Sequence, residues 1–580
     1  MGVLKNLKSR RALTKTQATI IALIIIVATV GVAVYYFTLP PKVQYKRTLT
    51  IAIPEEPEGL DIQQVSWSNE VHDLIFQPFT AFNESMGIVL DLAEFVTMDN
   101  NSITIKVPED AKFSNGEPIT AQIIADSIER YRQLSPYGSD YELVEDYEII
   151  NETTIKIIFS GPPTYVWYND LTNVYGAVVD VKTAKEVGDD AFNLNPIGSG
   201  PYKVKEWVQG SHVTLERNEF YKTNLPFVEN KGPNPYIDEI IVRFIPEDLT
   251  RISELEAGNV EIVRGVPVDA ISRLKENPDV TLYEVLTPGV EYIMINVRKP
   301  PLDDVRVRQA MMYAIDRDAI AVTLENTVLP CYTYMSPSML AYNVSLEEYA
   351  ESIYAYNLEK ARSLLEEAGW VDTDGDGIVD KNGQPLELEL LVPYDEPRLK
   401  RIGPLIQSQL AEIGIKVNIE EYAYDYIRDR TRNWDFELAC RFYSWFDPAG
   451  ILPYLLHSEM GNYTYSNPEV DELFELDRAA VLNPVERTNV YTKIQLILLN
   501  DTPWIPLFIS KEYTAVRKTV EGLHVMPPFG TLYFNDAKVV QTGSYSTLHV
   551  MLPFVALLIP ESLFINSVKI LGGSAEKRRK

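Results

Sequence analysis

The sequence predicts an α/β protein with at least two lobes, preceded by a membrane-spanning helix. Segments with strand periodicity and segments with helix periodicity alternate along the chain with long gaps between them, which is typical of α/β folds. The chain has 580 residues, of which 46% are hydrophobic. This length exceeds what one hydrophobic core usually accommodates, so we expect a division into lobes. The uncharged apolar run at residues 18–39 predicts the membrane span.

Short predicted elements open the region after the apolar run. We predict strands over residues 48–53, 102–107 and 153–159 and helices over residues 71–79 and 120–132. Pro54 and Pro57 mark the turn after the first strand. Thr120 stands where the N-cap residue of the second helix is expected. The first strand is therefore expected to begin one lobe.

Residues 301–319, which read PLDDVRVRQAMMYAIDRDA, predict a helix, a tight break and a second short helix. Asp303 or Asp304 can cap the first helix, and Asp316 can cap the second. Four apolar side chains share one helical face, and three polar side chains are expected to face solvent. The apolar positions are Val307, Ala310, Met311 and Ala314, and the polar positions are Arg306, Arg308 and Gln309. Periodicity alone also fits an ordinary core helix.

The letters of this segment carry more information than its periodicity. They resemble a segment of the family 5 solute-binding proteins of ABC importers, whose members include oligopeptide, dipeptide and nickel binders. Four further blocks resemble other segments of that family and occur in the family's order: residues 113–131, 195–221, 238–263 and 356–370. The resemblance extends over about residues 46–540, and on this basis the chain is identified as a member of the family.

This resemblance implies a two-lobed fold of the periplasmic-binding-protein type II (cluster C) kind with an extra subdomain. It places the parts of lobe I at residues 46–85, 204–290 and 505–545, the subdomain at residues 86–203, and lobe II at residues 291–504. The chain is then expected to cross between lobes near Tyr292 and near residues 503–506. Two such crossings permit the lobes to close over a ligand in the cleft.

The N-terminal residues 1–45 predict a signal or anchor. Positive charges precede the apolar run, which places the N-terminus in the cytoplasm and the body outside it, anchored at the cell membrane. These charges are Lys5, Lys8, Arg10, Arg11 and Lys15. Residues 10–17 resemble an archaeal class III, pilin-like signal. Signals of that kind are cut on the cytoplasmic side, here after Ala12, and leave the hydrophobic helix on the mature protein as an anchor.

The C-terminal residues 546–580 combine an apolar segment with a basic tail. The apolar part, residues 548–571, is interrupted by Pro553, Pro560 and Glu561. Prolines cost helix hydrogen bonds, and the uncharged piece before Glu561 is short for a membrane span. The segment therefore fits either a second anchor or an interfacial or lobe-packed piece of chain.

Charge and motif content exclude several classes of function. The net charge of −29 makes the body repel nucleic acid, so we expect no nucleic-acid partner. No GxxxxGK[ST] motif occurs, so the chain is not the ATPase of a transporter. No nucleophile elbow, metal cluster or paired-carboxylate motif stands out from surface acids, so we expect no enzyme.

Two further sites are predicted from local patterns. Cys331 and Cys440 are the two cysteines, and they allow either one disulfide in an exported domain or two buried thiols. The stretch DTDGDGIVD offers carboxylates in part of a calcium-loop pattern, at Asp372, Asp374, Asp376 and Asp380. Gly383 stands where that pattern needs its last carboxylate, so the alternative is an acidic turn. No cofactor other than this Ca²⁺ is expected.

The binding site is expected in residues 435–452, which resemble the cleft segment of the family that ends in Asp-Pro. In peptide-binding members, the resemblance implies, an aspartate three residues before that Asp-Pro pairs with the ligand's α-ammonium. Here Asp447 precedes Pro448, but Ser444 occupies the position of the ammonium-binding aspartate. Arg441 replaces a tryptophan common in that segment. Both changes shift the expectation toward an oligosaccharide or another ligand without an amine, although Arg441 can equally pair with a surface acid.

Aromatic side chains complete the predicted site. Those near the cleft segment can stack on sugar faces or line pockets for side chains, and each can equally pack in a core. They are Trp67, Tyr292, Trp434, Phe442, Tyr443, Trp445 and Trp504, with Phe446 beside them.

Three functions follow from these patterns. The leading hypothesis is a membrane-tethered receptor that captures a peptide-class solute by lobe closure and delivers it to the permease and ATPase subunits of an ABC importer. An oligosaccharide receptor of the same family is the alternative. A structural subunit of a surface array, directed by the pilin-like leader, is the third.

Overall fold

The computed structural model describes residues 44–461, 464–479 and 483–541, together with residues 14, 16, 19–24 and 27–28. The chain divides into two units, one formed by Met1–Tyr45 and Val540–Lys580 and the other, the body, by Lys46–Val539. The leader with its cleavage site, most of the predicted span 18–39 and the C-terminal segment 546–580 lie outside the described residues. Among the residues that are described, no helix has the length and apolar character needed to cross a membrane.

One mixed sheet runs through the body. From edge to edge its strands are Lys416–Tyr422, Glu387–Pro393, Leu438–Ser444, Gly289–Ile295, Trp504–Arg517, Ile262–Val263, Thr48–Ile53, Glu239–Phe244, His212–Arg217 and Tyr202–Val208. Val280–Leu286 and Val328–Pro330 also pair with Trp504–Arg517. Thr48–Ile53 pairs parallel to Glu239–Phe244, and Gly289–Ile295 pairs antiparallel to Leu438–Ser444 with Gly289 opposite Ser444. A large sheet that contains both parallel and antiparallel pairs is common in α/β folds.

Smaller sheets surround this one. A four-stranded antiparallel sheet has the order Phe95–Asp99, Ser102–Lys106, Thr154–Phe159 and Val144–Asn151. Hairpins join Thr80–Phe82 with Ile88–Leu90, Asp380–Lys381 with Gln384–Pro385, and His524–Met526 with Thr531–Tyr533. Val520–Glu521 pairs with Lys538–Gln541 at Val520 and Val539, and Gln44–Lys46 is a further short strand.

Helices alternate with these strands along the described chain. They are Glu70–Ile75, Ala121–Leu134, Val181–Val187, Asp189–Leu194, Asp248–Ala257, Val268–Glu276, Val305–Ala314, Arg317–Thr323, Val344–Tyr354, Leu358–Glu367, Pro397–Ala411, Tyr424–Arg432, Pro448–Leu456, Pro468–Ala479 and Pro484–Asp501. Two 3₁₀ turns, Gly138–Tyr141 and Val174–Gly176, flank a π-helical turn at Val166–Asp170.

The early sequence predictions are confirmed with one difference. Strands form at Thr48–Ile53, Ser102–Lys106 and Thr154–Phe159, and Thr120 caps Ala121–Leu134 by accepting a hydrogen bond from the Ile123 N–H. The helix predicted over residues 71–79 ends earlier, at Ile75. Pro78 explains the difference, because proline has no N–H to continue a helix and restricts the residue before it.

The predicted helix, break and helix within residues 301–319 is also confirmed. Asp304 caps Val305–Ala314 through the Arg306 N–H, and Asp316 caps Arg317–Thr323 through the Ala319 N–H. The predicted apolar stripe is buried. The pair of capped helices therefore packs against the core formed around Gly289–Ile295 and Trp504–Arg517.

The prediction that Arg308 faces solvent is wrong. Arg308 is 7% exposed, and its guanidinium donates to the carbonyls of Leu302, at 2.9 Å, and Thr502, at 3.1 Å. Arg317 is buried in the same way and donates to the carbonyls of Cys331 and Pro506, each at 2.9 Å. Buried backbone carbonyls near the ends of helices and strands need hydrogen-bond donors, and one planar guanidinium supplies several donors at once.

Buried apolar side chains in the described part of the chain group into distinct clusters. The largest draws its members from residues 290–509. A second combines residues 49–76, 174–262 and 516–539, and a third lies within residues 79–178. The long strand Trp504–Arg517 joins two of them, because it supplies Trp504 and Phe508 to the first cluster and Val516 to the second. The lobe boundaries given above stay predictions.

Candidate functional site

A cavity of about 410 Å³ opens in the body. Its lining comes mainly from four stretches of chain, within residues 66–91, 131–175, 444–446 and 527–535. Pro201, Tyr221 and Arg264 complete its wall. The cavity therefore gathers chain segments that are far apart in the sequence, including the predicted cleft segment.

The helix Glu70–Ile75 brings two carboxyl groups to the cavity, those of Glu70 and Asp73. Asn69 caps this helix by accepting a hydrogen bond from the Val71 N–H at 3.0 Å. Glu70 forms an ion pair with Arg264, which also donates to the Phe529 carbonyl at 2.8 Å. The charge of Arg264 is therefore neutralised by the protein itself.

The lining of the cavity is strongly acidic. Among the described residues that line it, the carboxyl groups are Glu70, Asp73, Asp91, Asp140 and Asp170, and Arg264 is the one lysine or arginine. Burial raises the pKa of Asp73 to about 7, with Glu70 adding to the rise and Arg264 opposing it. Burial also raises the pKa of Asp91 to about 6, against the hydrogen bonds that Gln77 and Thr223 donate at 2.6 and 2.7 Å.

Asp140 and Asp170 are two further acids of this lining. Burial raises the pKa of Asp140 to about 7, and the charge of Glu142 adds to the rise. Burial raises the pKa of Asp170 well above its ordinary value, and the charge of Asp140 raises it further. The charge of Asp140 thus disfavours ionisation of Asp170, as a like charge nearby does.

Aromatic rings form much of the remaining wall. They are Trp67, Phe76, Phe82, Tyr131, Tyr137, Tyr165, Tyr175, Tyr221, Trp445, Phe446, Phe529, Tyr533 and Phe534. Phe446 makes edge contacts with Phe82 and Phe529, with ring centroids 5.3 and 5.9 Å apart. These contacts connect the segment 444–446 to the opposite walls. Such a lining offers broad apolar faces with a few fixed charges, which suits binding of an organic molecule.

The segment after the strand Leu438–Ser444 crosses the cavity wall. Ser444 is exposed to the cavity. The Trp445 indole N–H donates to Asn169 Oδ1 at 2.8 Å, and Asn169 Nδ2 donates to Asp447 Oδ2 at 3.3 Å. Asp447 also caps the helix Pro448–Leu456 through the Ala449 N–H. These bonds fix the position of Ser444 and Trp445 against the residues between 131 and 175.

A buried ion-pair cluster supports this segment from behind. Arg487 Nη2 lies 2.5 Å from Asp447 Oδ1, and Arg487 Nε lies 2.9 Å from Asp477 Oδ1. The Tyr491 hydroxyl donates to Asp477 at 2.8 Å. All three charged side chains are at most 3% exposed. Asp447 is therefore engaged by the protein on both carboxylate oxygens.

Four of the residues predicted for the site line the cavity: Trp67, Ser444, Trp445 and Phe446. Asp447 lies behind the wall, in the cluster just described. Trp434 is not among the lining residues. It is 36% exposed, and the Arg298 guanidinium lies 4.0 Å from the centre of its ring.

The other predicted residues pack in the interior. Trp504 stacks on Tyr292 with ring centroids 4.1 Å apart, and Tyr443 lies against both. Arg441 is 4% exposed and donates to the Thr431 hydroxyl at 2.5 Å, and Phe442 contacts Tyr424. None of these five is among the lining residues in the part of the chain that the structure describes. The roles predicted for them as ligand contacts stay predictions.

The acidic residues of the cavity were missed by sequence reasoning. Asp73, Asp91, Asp140 and Asp170 come from four separate segments and share no motif. The one local signal is the high density of tyrosines between residues 131 and 175, several of which turn out to line the cavity.

The predicted calcium loop is an exposed turn in which three of its four acids converge. Asp372, Asp374 and Asp376 each bring a carboxylate oxygen within 4.8 Å of the others. Asp380 instead accepts hydrogen bonds from the Thr373 N–H and hydroxyl. Calcium binding at this turn stays a prediction.

Of the two arrangements left open for the cysteines, the structure has the pair of buried thiols and not the disulfide. Cys331 and Cys440 are both buried free thiols. The Cys331 Sγ donates to the Thr333 carbonyl at 3.2 Å, and Cys440 lies within the strand Leu438–Ser444. Packing in the apolar core therefore accounts for both side chains, and burial raises the pKa of each thiol.

Comparison with other proteins shows what this fold resembles. Bacillus subtilis oligopeptide-binding protein AppA is 25% identical over 480 residues, which cover 79% of this chain and 85% of AppA. Haemophilus influenzae heme-binding protein A is 27% identical over 67% of this chain and 69% of its own. Salmonella typhimurium glutathione-binding protein GsiB is 26% identical over 81% of this chain and 90% of its own. All three are named as binding proteins, not as enzymes.

Solved structures agree with this fold. The structure of Bacillus subtilis AppA in complex with a nonapeptide matches with a TM-score of 0.66 and 23% identity, over 86% of this chain and 100% of that chain. The structure of Brucella suis NikA in complex with Fe(III)-EDTA matches with a TM-score of 0.73 and 22% identity, over 84% of this chain and 100% of that chain.

The mixed α/β fold is that of the type II periplasmic binding proteins. The family of bacterial extracellular solute-binding proteins, family 5 Middle, matches residues 87–463. The chain belongs to this family, whose members are the solute-binding components of ABC importers. The resemblance read from residues 301–319 and the four other blocks is confirmed at the level of the family.

Proposed function

We propose that this chain is a membrane-tethered receptor that captures peptide-class solutes in the acidic, aromatic cavity and delivers them to an ABC importer. The observation that carries the proposal is the composition of the cavity wall. The wall combines aromatic rings with carboxyl groups and with the side-chain amides of Asn169 and Asn535. A peptide presents matching apolar side chains, amide groups and ammonium groups. The names of AppA and GsiB, for an oligopeptide and for glutathione, support the same class of ligand.

Lobe closure is the proposed capture step. Two neighbouring strands, Gly289–Ile295 and Trp504–Arg517, contain the predicted crossings, and Trp504 stacks on Tyr292 between them. Ser444, Trp445 and Phe446 reach the cavity from the predicted lobe II, whereas the rest of the lining comes from the predicted lobe I and its subdomain. Movement at these crossings would change the distance between the two walls and enclose a ligand.

The tether is the apolar run 18–39. Its length and the five preceding positive charges support a helix that holds the body outside the cytoplasm. The pilin-like residues 10–17 support retention of that helix after cleavage. In this position the receptor meets the permease at the membrane, and the ATPase subunits act from the cytoplasmic side.

An oligosaccharide receptor is the second candidate. Ser444 favours it, because a hydroxyl exposed to the cavity cannot neutralise an ammonium group at the position where peptide-binding relatives are expected to carry an aspartate. Trp67 and Trp445 offer flat rings on which sugar faces could stack. The location of Arg441 in the interior removes the other argument for this class.

A thermal-shift screen of the purified full-length chain separates the two candidates. A ligand present at 100 times its Kd adds about 2.7 kcal/mol to the free energy of unfolding. We expect pools of tri- to pentapeptides to raise the Tm, and gluco- and xylo-oligosaccharides to leave it unchanged. Stabilisation by the oligosaccharides with silent peptide pools would replace the proposal with the second candidate.

A further inference from the structure

Two carboxyl groups and two tyrosine rings of the cavity lining form a set that we call the acidic end. Its members are Tyr131, Asp140, Tyr165 and Asp170, all of which line the cavity, and the charges of both aspartates act on both tyrosines. Tyr131 lies on the helix Ala121–Leu134, Asp140 lies in the 3₁₀ turn Gly138–Tyr141, and Asp170 ends the π-helical turn Val166–Asp170. The groups come from three different elements, so the body holds them together through its tertiary structure.

Asp170 is buried without a full set of partners. Its side chain is 3% exposed, and Asp170 Oδ2 has no hydrogen-bond partner among the described residues. A buried polar atom left without a partner destabilises the folded state, and native proteins rarely retain one without a function. The same carboxyl group borders the cavity, so a bound molecule can supply the missing partner.

No lysine or arginine of the described lining neutralises Asp140 or Asp170. Arg264 is the one lysine or arginine among the described lining residues, and it is paired with Glu70. The groups that act electrostatically on Asp140 and Asp170 are acidic or phenolic. They are Glu142 and Tyr131, which act on Asp140, and Asp140 itself, which acts on Asp170. In turn, the charges of both aspartates raise the pKa of Tyr131, Tyr141 and Tyr165.

We propose that the acidic end binds a cationic group of the solute, an ammonium or a guanidinium, between Asp140 and Asp170. This inference rests on the proposed function and names the part of the peptide that the cavity selects. The cation donates to the free oxygen of Asp170 and to Asp140, and charge-assisted bonds of this kind are about twice as strong as neutral ones. The rings of Tyr131 and Tyr165 add faces that attract a cation.

The geometry favours an organic cation over a metal ion. In the described chain, three acidic groups with oxygens close enough to share one ion occur at Asp372, Asp374 and Asp376 on the surface, and the cavity acids form no such group. A carboxyl pair beside aromatic faces is the arrangement that suits a diffuse cation on an organic molecule.

Cation binding also has a proton signature. Burial raises the pKa of Asp140 to about 7 and that of Asp170 well above its ordinary value, so Asp140 is partly protonated near pH 7 in the unliganded protein. A bound cation favours the ionised form and lowers both pKa values. Binding at pH 7 is therefore accompanied by release of protons from the protein.

Three pools of pentapeptides test the proposal on the full-length chain by calorimetry. One pool has a free N-terminus and no basic side chain, one is N-acetylated with a central lysine, and one is N-acetylated and has no cation. We expect at least one cationic pool to bind at least tenfold more tightly than the pool without a cation. The better cationic pool identifies the source of the charge as the terminus or the side chain.

Variants assign that preference to the acidic end. Asp140→Asn and Asp170→Asn are each expected to weaken binding of the preferred cationic pool at least tenfold and to abolish proton release, measured in two buffers of different ionisation enthalpy. Asp146→Asn removes a charge from the exposed face of the neighbouring strand Val144–Asn151 and is the matched control, expected to bind as wild type. Circular dichroism checks the fold of each variant, and Asp140→Asn, at a partly exposed position, keeps the test valid if Asp170→Asn does not fold.

The outcomes separate this inference from the proposed function. Equal binding of all three pools, or unchanged binding by both variants, would overturn the inference and leave a peptide receptor in place. Absence of binding by every peptide pool would overturn both.

Discussion

Replacing Arg487 with leucine is expected to lower the free energy of unfolding by about 3–5 kcal/mol. Arg487 lies between Asp447 and Asp477, and all three side chains are buried. Its pKa is raised by these two carboxylates, against the effect of burial. Removal of the guanidinium leaves two carboxylates in the interior without their counter-ion, and the large loss arises from that uncompensated charge.

The loss is also expected to reach the cavity. Asp447 accepts a hydrogen bond from Asn169, and Asn169 in turn accepts one from the Trp445 indole. A displaced Asp447 would release this connection and loosen the segment that carries Ser444. We therefore expect weaker ligand binding in addition to lower stability.

Urea unfolding followed by circular dichroism measures the effect. Arg478→Leu is the matched control, because Arg478 is 49% exposed on a neighbouring helix, and its partners among the described residues are Glu475 at the surface, at 3.2 Å, and Met460. Its replacement is expected to change stability by about 0.5 kcal/mol or less. A loss below about 1 kcal/mol for Arg487→Leu would show that the two aspartates are not dependent on this arginine.

The unliganded Asp73→Asn variant is expected to be more stable than wild type at pH 8 by about 2–3 kcal/mol. Burial raises the pKa of Asp73 to about 7, from an ordinary value near 3.8. Each unit of pKa shift corresponds to about 1.4 kcal/mol, which gives an upper bound near 4 kcal/mol. Partial exposure of the side chain to the cavity reduces the expected value.

The sign of the pH dependence follows from proton binding. Between about pH 4 and pH 7 the folded protein keeps the Asp73 proton and the unfolded chain has lost it, so this group lowers stability as the pH rises. Asparagine does not titrate. The stability gap between variant and wild type is therefore expected to be small near pH 4, to widen up to about pH 7 and to stay constant above it.

Unfolding in urea at pH 5, 6, 7 and 8 checks this dependence. Asp146→Asn, at an exposed position, again supplies the matched control. A gap of the same size at every pH would mean that the stabilisation comes from the shape of the asparagine side chain and not from the lost ionisation. Glu70 and Arg264, which act on Asp73 with opposite signs, are unchanged in all three proteins.

Local sequence patterns predicted the elements well and the site only in part. Thr120, Asp304 and Asp316 were correctly placed as caps, because capping depends on a few neighbouring residues. Arg308 was misplaced because its partners, the carbonyls of Leu302 and Thr502, lie at an element end that no periodicity reveals.

The site shows the same limit more strongly. Trp67, Ser444 and Trp445 were predicted from their resemblance or composition, and the structure places them on the cavity. The presence of Asp140 and Asp170 in one cavity wall depends on the packing of separate segments, so it has no counterpart in the linear sequence. The function of such a cavity is therefore accessible only from its three-dimensional arrangement.

The long strand Trp504–Arg517 has a consequence for how the chain reaches its native state. Its first residues complete the cluster drawn from residues 290–509, and Val516 packs into the cluster that begins at Leu49. Both clusters are therefore complete only when this segment has been synthesised, which happens after about 500 residues of chain. Pairings of such long sequence separation form slowly, because loop closure must precede the contacts that reward it. In a nascent chain these two clusters would accordingly stay incomplete until this strand has been synthesised, whereas the cluster within residues 79–178 does not depend on it.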